Sequence, residues 1–343
     1  MKEKNFGYIF IVCASVIVIL AGVKSASEIV VPFLLSLFIA IILSPSYNYF
    51  NKKGLPNALS LTLVMGIFVI FLLFVAKLIG SSVQDFSSNI SVYEQQLSSS
   101  FDKVFEISAS IGFALPKSEL SNIINPKQIM QLSSSIVQSI GSMFTNGFVI
   151  LLSVIFMLLE SGHFTQKIAF ASGDEGLKKD IQEIVAKIQR YMVLKTIISF
   201  FTGLFIYAAL LLIGTDYAFL WAVLAFMLNF IPNIGPIIAS IPVVLLTIVQ
   251  LGSLSAVIVG VLYIVINVVI GSIIEPKVMG KGLGLSTLVV FLSLIFWGWL
   301  LGIVGMLLSI PLTMMAKIVF DSNKDTKFIA VLLGTEDNLV EKK

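Results

Sequence analysis

The sequence predicts an all-α, polytopic transmembrane helix bundle with broken or re-entrant helical hairpins and an amphipathic helical insert outside the cytoplasm. Of the 343 residues, 57% are hydrophobic and only 12% are charged, and the mean hydropathy is +1.03. Apolar runs long enough to cross a bilayer recur along the chain. Prolines and glycines interrupt two of these runs, and such interruptions are tolerated in membranes only where protein or a water-lined cavity surrounds the backbone.

The composition also argues against several other classes of protein. A formal net charge of +3 is too small to indicate a nucleic-acid partner. Cys13 and His163 are the only residues of their kind, so we expect neither an intrachain disulfide nor a metal site. Because no Walker, Ser/His/Asp, Cys/His or paired-carboxylate motif occurs, we expect no enzymatic activity and no cofactor.

The N-terminal region, 1–80, is predicted to hold three membrane helices. Its apolar runs cover Tyr8 to Val23, Ile29 to Leu43 and Leu59 to Ile79. We interpret the first two runs as a tight transmembrane hairpin and not as a cleaved signal peptide. The first run is longer than the apolar core of most signal peptides, and the second follows it at once.

A Ser-rich insert follows at 81–141. Its apolar residues recur at spacings of three and four, as on one face of an amphipathic helix. They are Val83, Phe86, Ile90, Tyr93, Leu97, Phe101 and Phe105. The opposite face carries mainly acids, whereas binding to a lipid surface requires a basic face. We therefore expect the apolar face to pack on the protein's own membrane region or on a neighbouring subunit.

The region 142–192 is predicted to hold a fourth membrane helix, Met143 to Leu159, and a cytoplasmic amphipathic helix. A C-terminal transport core is expected at 193–320. It begins with a fifth span, Val193 to Ile213, and contains two interrupted segments. The remaining chain, 321–343, is predicted to be a polar cytoplasmic tail.

The first interrupted segment, Ala218 to Gln250, is termed hairpin 1. Pro232 and Pro236 have no N–H and free the carbonyls four residues before them. We expect a helix to end near Ile231 and a second helix to start at Pro236, with Gly235 taking the positive φ of the reversal. A broken membrane helix of this kind is a sequence-level indication of a transporter's binding site.

The distribution of basic residues predicts that both termini are cytoplasmic. With that orientation only five of the 22 lysines and arginines lie outside. They are Lys24, Lys77, Lys103, Lys117 and Lys127. The insert is then extracytoplasmic, and the second interrupted segment, Leu285 to Val319 (hairpin 2), enters the membrane from the side opposite to hairpin 1. Ile238 to Pro242 resembles Leu307 to Pro311, which is typical of an inverted repeat, although short apolar segments also match by chance.

Polar residues inside the spans are the candidates for a transport route. Tyr263, Asn267, Gly271 and Glu275 recur every four residues and share one helix face. This face could line the route, with Glu275 as a cation or proton site, or it could serve helix packing through Gly271. Lys195 begins a similar stripe with Ser199, Thr202 or Gly203, and Tyr207, and it is expected to extend to the inner membrane surface.

Asn229 and Asn233 would share a face if the helix continued that far, and they could then bind a hydroxylated solute or an ion. The predicted pathway residues are Asn229, Pro232, Asn233, Gly235, Pro236, Tyr263, Asn267, Gly271, Glu275, Gly302 and Gly305. The predicted ion-coupling acids are Glu275, Glu160 and Asp216.

Three dense motifs carry a resemblance to a known family. They are Phe230 to Pro236 with Pro242, Ile274 to Gly280 with Leu283 to Ser286, and Phe296 to Met306 with Ile310 and Pro311. With these motifs the chain resembles the AI-2E family of bacterial transporters, the autoinducer-2 exporter family, and the order of spans fits over the whole length.

The resemblance implies export of autoinducer-2 in some members and sodium or lithium for proton antiport in others, with homo-oligomers such as pentamers. The expected function is a secondary transporter of the bacterial inner membrane that exports a small polar solute. A sodium(lithium)/proton antiporter is the main alternative. An oligomeric membrane scaffold or a passive channel is the alternative from another class.

Overall fold

The structure is a computed structural model, which describes residues 6–99, 128, 131, 134–138, 147–172, 175–279, 284–322 and 326–334. Every regular element in these ranges is helical, which confirms the predicted all-α fold. The predicted stripe residues Phe101 and Phe105, the motif residues Gly280 and Leu283, and the tail beyond residue 334 lie outside the described residues.

Thirteen helices are named here in chain order, with one π-helical segment. They are α1 (Phe6–Ser25), α2 (Ser27–Lys52), α3 (Asn57–Ser88), α4 (described at 90–99), α5 (Gly147–Ser172), α6 (Glu175–Ile213), α7 (Ala218–Leu228), α8 (Gly235–Leu251), α9 (Ser253–Asn267), the π-helix (Val268–Ile274), α10 (Glu275–Met279), α11 (Thr287–Leu307), α12 (Ser309–Ser322) and α13 (Lys327–Leu332). Hairpin 1 therefore consists of α7 and α8, and hairpin 2 consists of α11 and α12.

Five of the described helical segments are long and apolar enough to cross a membrane. They are Ser27–Lys52, Asn57–Ser88, Val185–Ile213, Ser253–Met279 and Thr287–Leu307. Shorter apolar helices include both arms of hairpin 1. This set supports the predicted multi-pass membrane protein.

The chain divides into two compact units, each assembled from distant segments. The first unit contains Met1–Val64, Phe148–Val193 and Gly282–Lys343, and the second contains Met65–Gly147 and Leu194–Lys281. Hairpin 2 lies in the first unit and hairpin 1 in the second. The predicted division of the chain into five consecutive regions stays a prediction.

In the first unit, one residue separates α1 from α2. Ala26 has φ −89° and ψ 11°, and its N–H still donates to the Gly22 carbonyl at 2.9 Å. The chain therefore bends at Ala26 without an intervening loop. Within the same unit α2 contacts α5, where the Ser36 hydroxyl lies 3.2 Å from the Ile150 carbonyl.

The helix α6 joins two elements that were predicted separately. The amphipathic segment near Ile188 and the span from Val193 to Ile213 form one helix of 39 residues. Apolar residues at helical spacing continue through the expected boundary, and no proline or glycine stands between them.

The insert face behaves as predicted in its described part, which belongs to the second unit. Phe86 at the end of α3 and Leu97 in α4 are fully buried. The Phe86 ring lies 5.4 Å from Trp221 and 5.9 Å from Tyr93, measured between ring centroids. The apolar face thus packs on the protein's own hairpin 1.

Hairpin 1 breaks where predicted, but a different residue makes the reversal. Asn233 has the positive φ, at 60°, whereas Gly235 is already the first residue of α8. Gly235 is needed for another reason, because a Cβ there would lie 1.8 Å from the Leu228 carbonyl oxygen. The carbonyls freed by the two prolines are bound again within the turn, since the Ile231 and Ile234 N–H groups donate to Leu228 and Pro232.

Hairpin 2 contains a break inside α11. Within α11, Gly302 has φ 67° and ψ −149°, which is not helical. A Cβ on Gly305 would lie 2.0 Å from the Trp297 carbonyl oxygen. The Trp297 indole N–H donates to the Thr313 hydroxyl at 2.9 Å and so joins the two arms.

Candidate functional site

The strongest polar constellation lies inside the second unit, on one face of α6. Lys195, Ser199 and Thr202 are at most 3% exposed, and their spacing of four and three places them on one side of the helix. Polar groups in a membrane segment are costly unless they find partners. The first two residues each contact a different interrupted element.

Lys195 binds the residue that follows the π-helix. Its ammonium donates to Glu275 Oε1 at 2.6 Å, and the two side chains are 3% and 20% exposed. The expectation that Lys195 extends to the membrane surface is therefore wrong. The ion pair with Glu275, which lies 80 positions further along the chain, compensates the buried charge instead.

Ser199 binds the break in hairpin 1. Asn229, which follows the last residue of α7, donates from Nδ2 to the Ser199 hydroxyl at 2.9 Å and is 5% exposed. Gly203, one turn further along α6, permits this approach, because a Cβ there would lie 2.9 Å from the Ala222 carbonyl oxygen. We call Lys195, Ser199, Asn229 and Glu275 the polar junction.

The two asparagines of hairpin 1 do not share a face. The helix ends at Leu228, so Asn229 turns inward while Asn233 is exposed in the turn. Pro232 and Pro236 flank this turn and are partly buried. Of the predicted residues in this segment, only Asn229 enters the polar junction.

The predicted face of α9 is retained through the π-helix. On an α-helix of 3.6 residues per turn, residues four apart drift by about 40° at each step. A π-helix has wider turns because its hydrogen bonds join residues five apart, and it counteracts this drift. Accordingly Tyr263 is buried, and Asn267, Gly271 and Glu275 are partly buried along the same side.

Tyr263 and Asn267 differ in their surroundings. The Tyr263 hydroxyl is buried and has no hydrogen-bond partner among the described residues. It borders a narrow apolar crevice between α6 and α9 that is too tight for a water molecule. The Asn267 amide oxygen lies over Gly271, where a Cβ would approach it to 3.1 Å.

Asp216 lies at the base of hairpin 1, where its two hydrogen bonds with Gln250 form what we call the clamp. Its carboxylate accepts from the Gln250 amide, and its backbone N–H donates to Gln250 Oε1 at 3.1 Å. The Trp221 indole N–H donates to the Asp216 carbonyl at 3.0 Å. Asp216 is exposed, so the clamp joins the two arms of the hairpin at the protein surface.

The base of hairpin 1 also contacts the insert, through Tyr217 and Tyr93. The Tyr93 and Tyr217 hydroxyls lie 3.3 Å apart, and Tyr217 has an unusual φ of 57°. Burial, followed by the hydrogen bond with Tyr217, raises the pKa of Tyr93 above its ordinary value. The base of hairpin 1 is thereby linked to α4.

The remaining predicted residues belong to the first unit. Glu160 is exposed on α5, and Gly302 and Gly305 shape the break of hairpin 2. Among the residues that the structure describes, no group of His, Cys, Asp and Glu is arranged to hold a metal ion.

Sequence reasoning did not connect Lys195 with Glu275. The available signal was a lysine and a glutamate inside different apolar spans, the lysine at the start and the glutamate at the end of a polar stripe with a spacing of about four. Because unpaired charges are rare in membranes, the lysine of one stripe and the glutamate of the other are expected to pair.

Comparison with known proteins agrees with this architecture. A family model described as AI-2E family transporter matches residues 11–324. AI-2 transport protein TqsA from Escherichia coli is 39% identical over 330 residues, which cover 95% of each chain. A putative transport protein from Haemophilus influenzae is 42% identical over 94% of each chain, and the putative transport protein YhhT from Escherichia coli is 33% identical over 97% of this chain and 95% of its own.

Proposed function

Because this chain belongs to the AI-2E family of transporters, a family of multi-pass membrane proteins, we propose that it is a secondary transporter that exports a small polar solute. The solute class that we propose is a hydroxylated signalling molecule of the autoinducer-2 type, in line with the name of the relative TqsA, an AI-2 transport protein. The route runs along the polar junction and the face of Tyr263, Asn267, Gly271 and Glu275.

The observation that carries the proposal is the polar junction itself. It joins the break of hairpin 1 to the end of the π-helix through two neighbouring positions of α6. Its members offer hydroxyl, amide, ammonium and carboxylate groups with no net charge. Such a set matches a neutral solute with several hydroxyl groups, and interrupted helices are where transporters bind their substrates.

The sodium(lithium)/proton antiporter is the main alternative. Of its three predicted acids, Glu275 is already paired with Lys195, and Asp216 is exposed and clamped by Gln250. These contacts favour the solute transporter. Acid-quench fluorescence in everted vesicles tests the alternative, and a pH change on addition of sodium or lithium would support the antiporter.

We further propose a homo-oligomer, such as a pentamer, in the bacterial inner membrane with both termini cytoplasmic. The excess of lysine and arginine in the segments assigned to the cytoplasm supports this orientation. A scaffold or passive channel is distinguished by deletion of the insert. Retained flux per subunit with loss of assembly would make the insert purely structural.

The central experiment measures flux of autoinducer-2 from proteoliposomes that contain the purified protein. Asn229→Ala removes the buried bond to Ser199, and we expect about tenfold slower flux, as loss of about 1.4 kcal/mol implies. Asn48→Ala is the matched control, since Asn48 is exposed on α2 and its amide donates to the Ser44 hydroxyl one turn away on the same helix. Equal rates for protein-containing and empty liposomes would refute the proposed function.

A further inference from the structure

Lys195 is more deeply buried than its partner and has donor capacity to spare. A lysine ammonium carries three N–H donors, and the one acceptor found for them among the described residues is Glu275 Oε1. A residue that served only to pack helices would not require a buried cation at this place. The placement points to charge compensation of Glu275.

Without Lys195, Glu275 would have the properties of a cation site. It follows directly on the π-helix, shares a face with the Asn267 amide oxygen, and is 20% exposed. Carboxylate and carbonyl oxygens beside interrupted membrane helices coordinate sodium ions in transporters. A buried carboxylate that loses its partner also creates a strong demand for another cation.

We propose that Lys195 determines the charge specificity of this transporter by acting as a tethered cation on Glu275. The ammonium is attached to the chain, so its effective concentration at Glu275 exceeds that of dissolved sodium. The site is thereby net neutral and accepts a neutral solute in place of a monovalent cation. The inference rests on the proposed solute transport, because it names the residue that separates this function from cation coupling.

The test measures thermal unfolding of the detergent-purified full chain in sodium chloride and in choline chloride at equal concentration. The wild type is expected to unfold at the same temperature in both salts. Lys195→Met should gain a saturable, sodium-specific rise in Tm, since bound ligand stabilises the folded state. The rise should vanish in Lys195→Met/Glu275→Gln, and Lys187→Met, an exposed lysine of the same helix, should behave as the wild type.

Two results would overturn the inference. One is a folded Lys195→Met protein that responds equally to both salts. The other is a sodium-specific rise in the wild type that Glu275→Gln abolishes, because Glu275 would then already be a cation site. If Lys195→Met does not fold, Lys195→Gln replaces it, since glutamine keeps a donor for Glu275 without the charge, and the same two results decide.

The measurement is independent of transport. A wild-type protein that moves no solute would refute the proposed function, whereas the sodium response would still decide the role of Lys195. In proteoliposomes, solute flux of the wild type should be equal in sodium and choline media, and flux in Lys195→Met should depend on sodium.

Discussion

Hairpin 1 and hairpin 2 share a close backbone contact across their breaks, but different residues make the reversal. In each, a glycine that follows the reversal lies against a backbone carbonyl that precedes it, Gly235 on Leu228 and Gly305 on Trp297. Pro242 follows Leu228 at the same sequence separation as Pro311 follows Trp297. The reversal itself differs, because hairpin 1 uses Asn233 between two prolines and hairpin 2 uses Gly302. Close approach of the arms is thus the shared requirement, and the turn residues are not.

The bases of the hairpins are tied by side chains of opposite charge. Asp216 binds Gln250 at the base of hairpin 1, and the Lys317 ammonium donates to the Gly284 carbonyl at the base of hairpin 2. Under the positive-inside rule a basic base fits the predicted cytoplasmic side of hairpin 2, whereas the acidic residue at the base of hairpin 1 carries little weight in that rule. The opposite orientations themselves stay a prediction.

The largest expected effect comes from adding a methyl group at either contact glycine. Gly235→Ala and Gly305→Ala place a Cβ within 1.8 and 2.0 Å of a carbonyl oxygen. Because neither backbone can yield, each variant should lose at least about 3 kcal/mol of stability, the upper end for overpacking. The measurement is thermal unfolding in detergent. Gly22→Ala and Gly260→Ala are controls with room for the methyl group, and similar losses there would break the comparison.

Substitution of the reversal residue should cost different amounts of stability in the two hairpins. Gly302→Ala has open space but forces alanine into φ 67° and ψ −149°, a region almost restricted to glycine, at a cost of about 1–3 kcal/mol. Asn233→Ala should cost about 1 kcal/mol, since asparagine adopts φ 60° more readily than alanine. Asn233→Gly should cost nothing, and a loss there would show that the asparagine side chain is needed.

The clamp of hairpin 1 should contribute a measurable pair energy. A double-mutant cycle with Asp216→Ala and Gln250→Ala should give a coupling of about 0.5–1.5 kcal/mol, the range for hydrogen bonds. Trp297→Phe, which removes the bond from α11 to Thr313, should cost a similar amount in hairpin 2. Strictly additive losses at Asp216 and Gln250 would contradict the clamp.

The smallest expected effect concerns the link from hairpin 1 to the insert. Because the pKa of Tyr93 is raised in the folded protein, its contribution to stability is complete below the ordinary tyrosine pKa of about 10 and declines as pH rises above that value. Tyr93→Phe should flatten this alkaline decline in Tm and leave the Tm at neutral pH nearly unchanged. Identical alkaline profiles for both proteins would argue against the Tyr93 contact.

Much of the fold could be predicted from the sequence because the strongest signals are local. Apolar runs gave the membrane helices, and the break near Pro232 followed from the missing proline N–H. The role of Gly235 was misassigned, since sequence alone does not tell a glycine that turns the chain from one that admits a neighbouring backbone. The break at Gly302 was missed as a backbone feature for the same reason.

The site was less predictable because its contacts join distant segments. The stripe from Tyr263 to Glu275 was recognised by its spacing, and the contact of Asn229 with Ser199 was not, because it depends on where α7 ends. The pairing of Lys195 with Glu275 requires the packing of α6 against the end of the π-helix, and no local pattern encodes that distance.

The π-helix has a consequence for how this region can change by mutation. Deletion of one residue within Val268–Ile274 would move the following chain toward α-helical geometry, in which each residue turns the axis by about 100° and advances it by about 1.5 Å. The Glu275 carboxylate would then no longer contact the Lys195 ammonium, although both residues of the ion pair are still present. Loss of a single codon outside the ion pair is therefore sufficient to turn Glu275 and α10 away from the face of Tyr263 and Asn267.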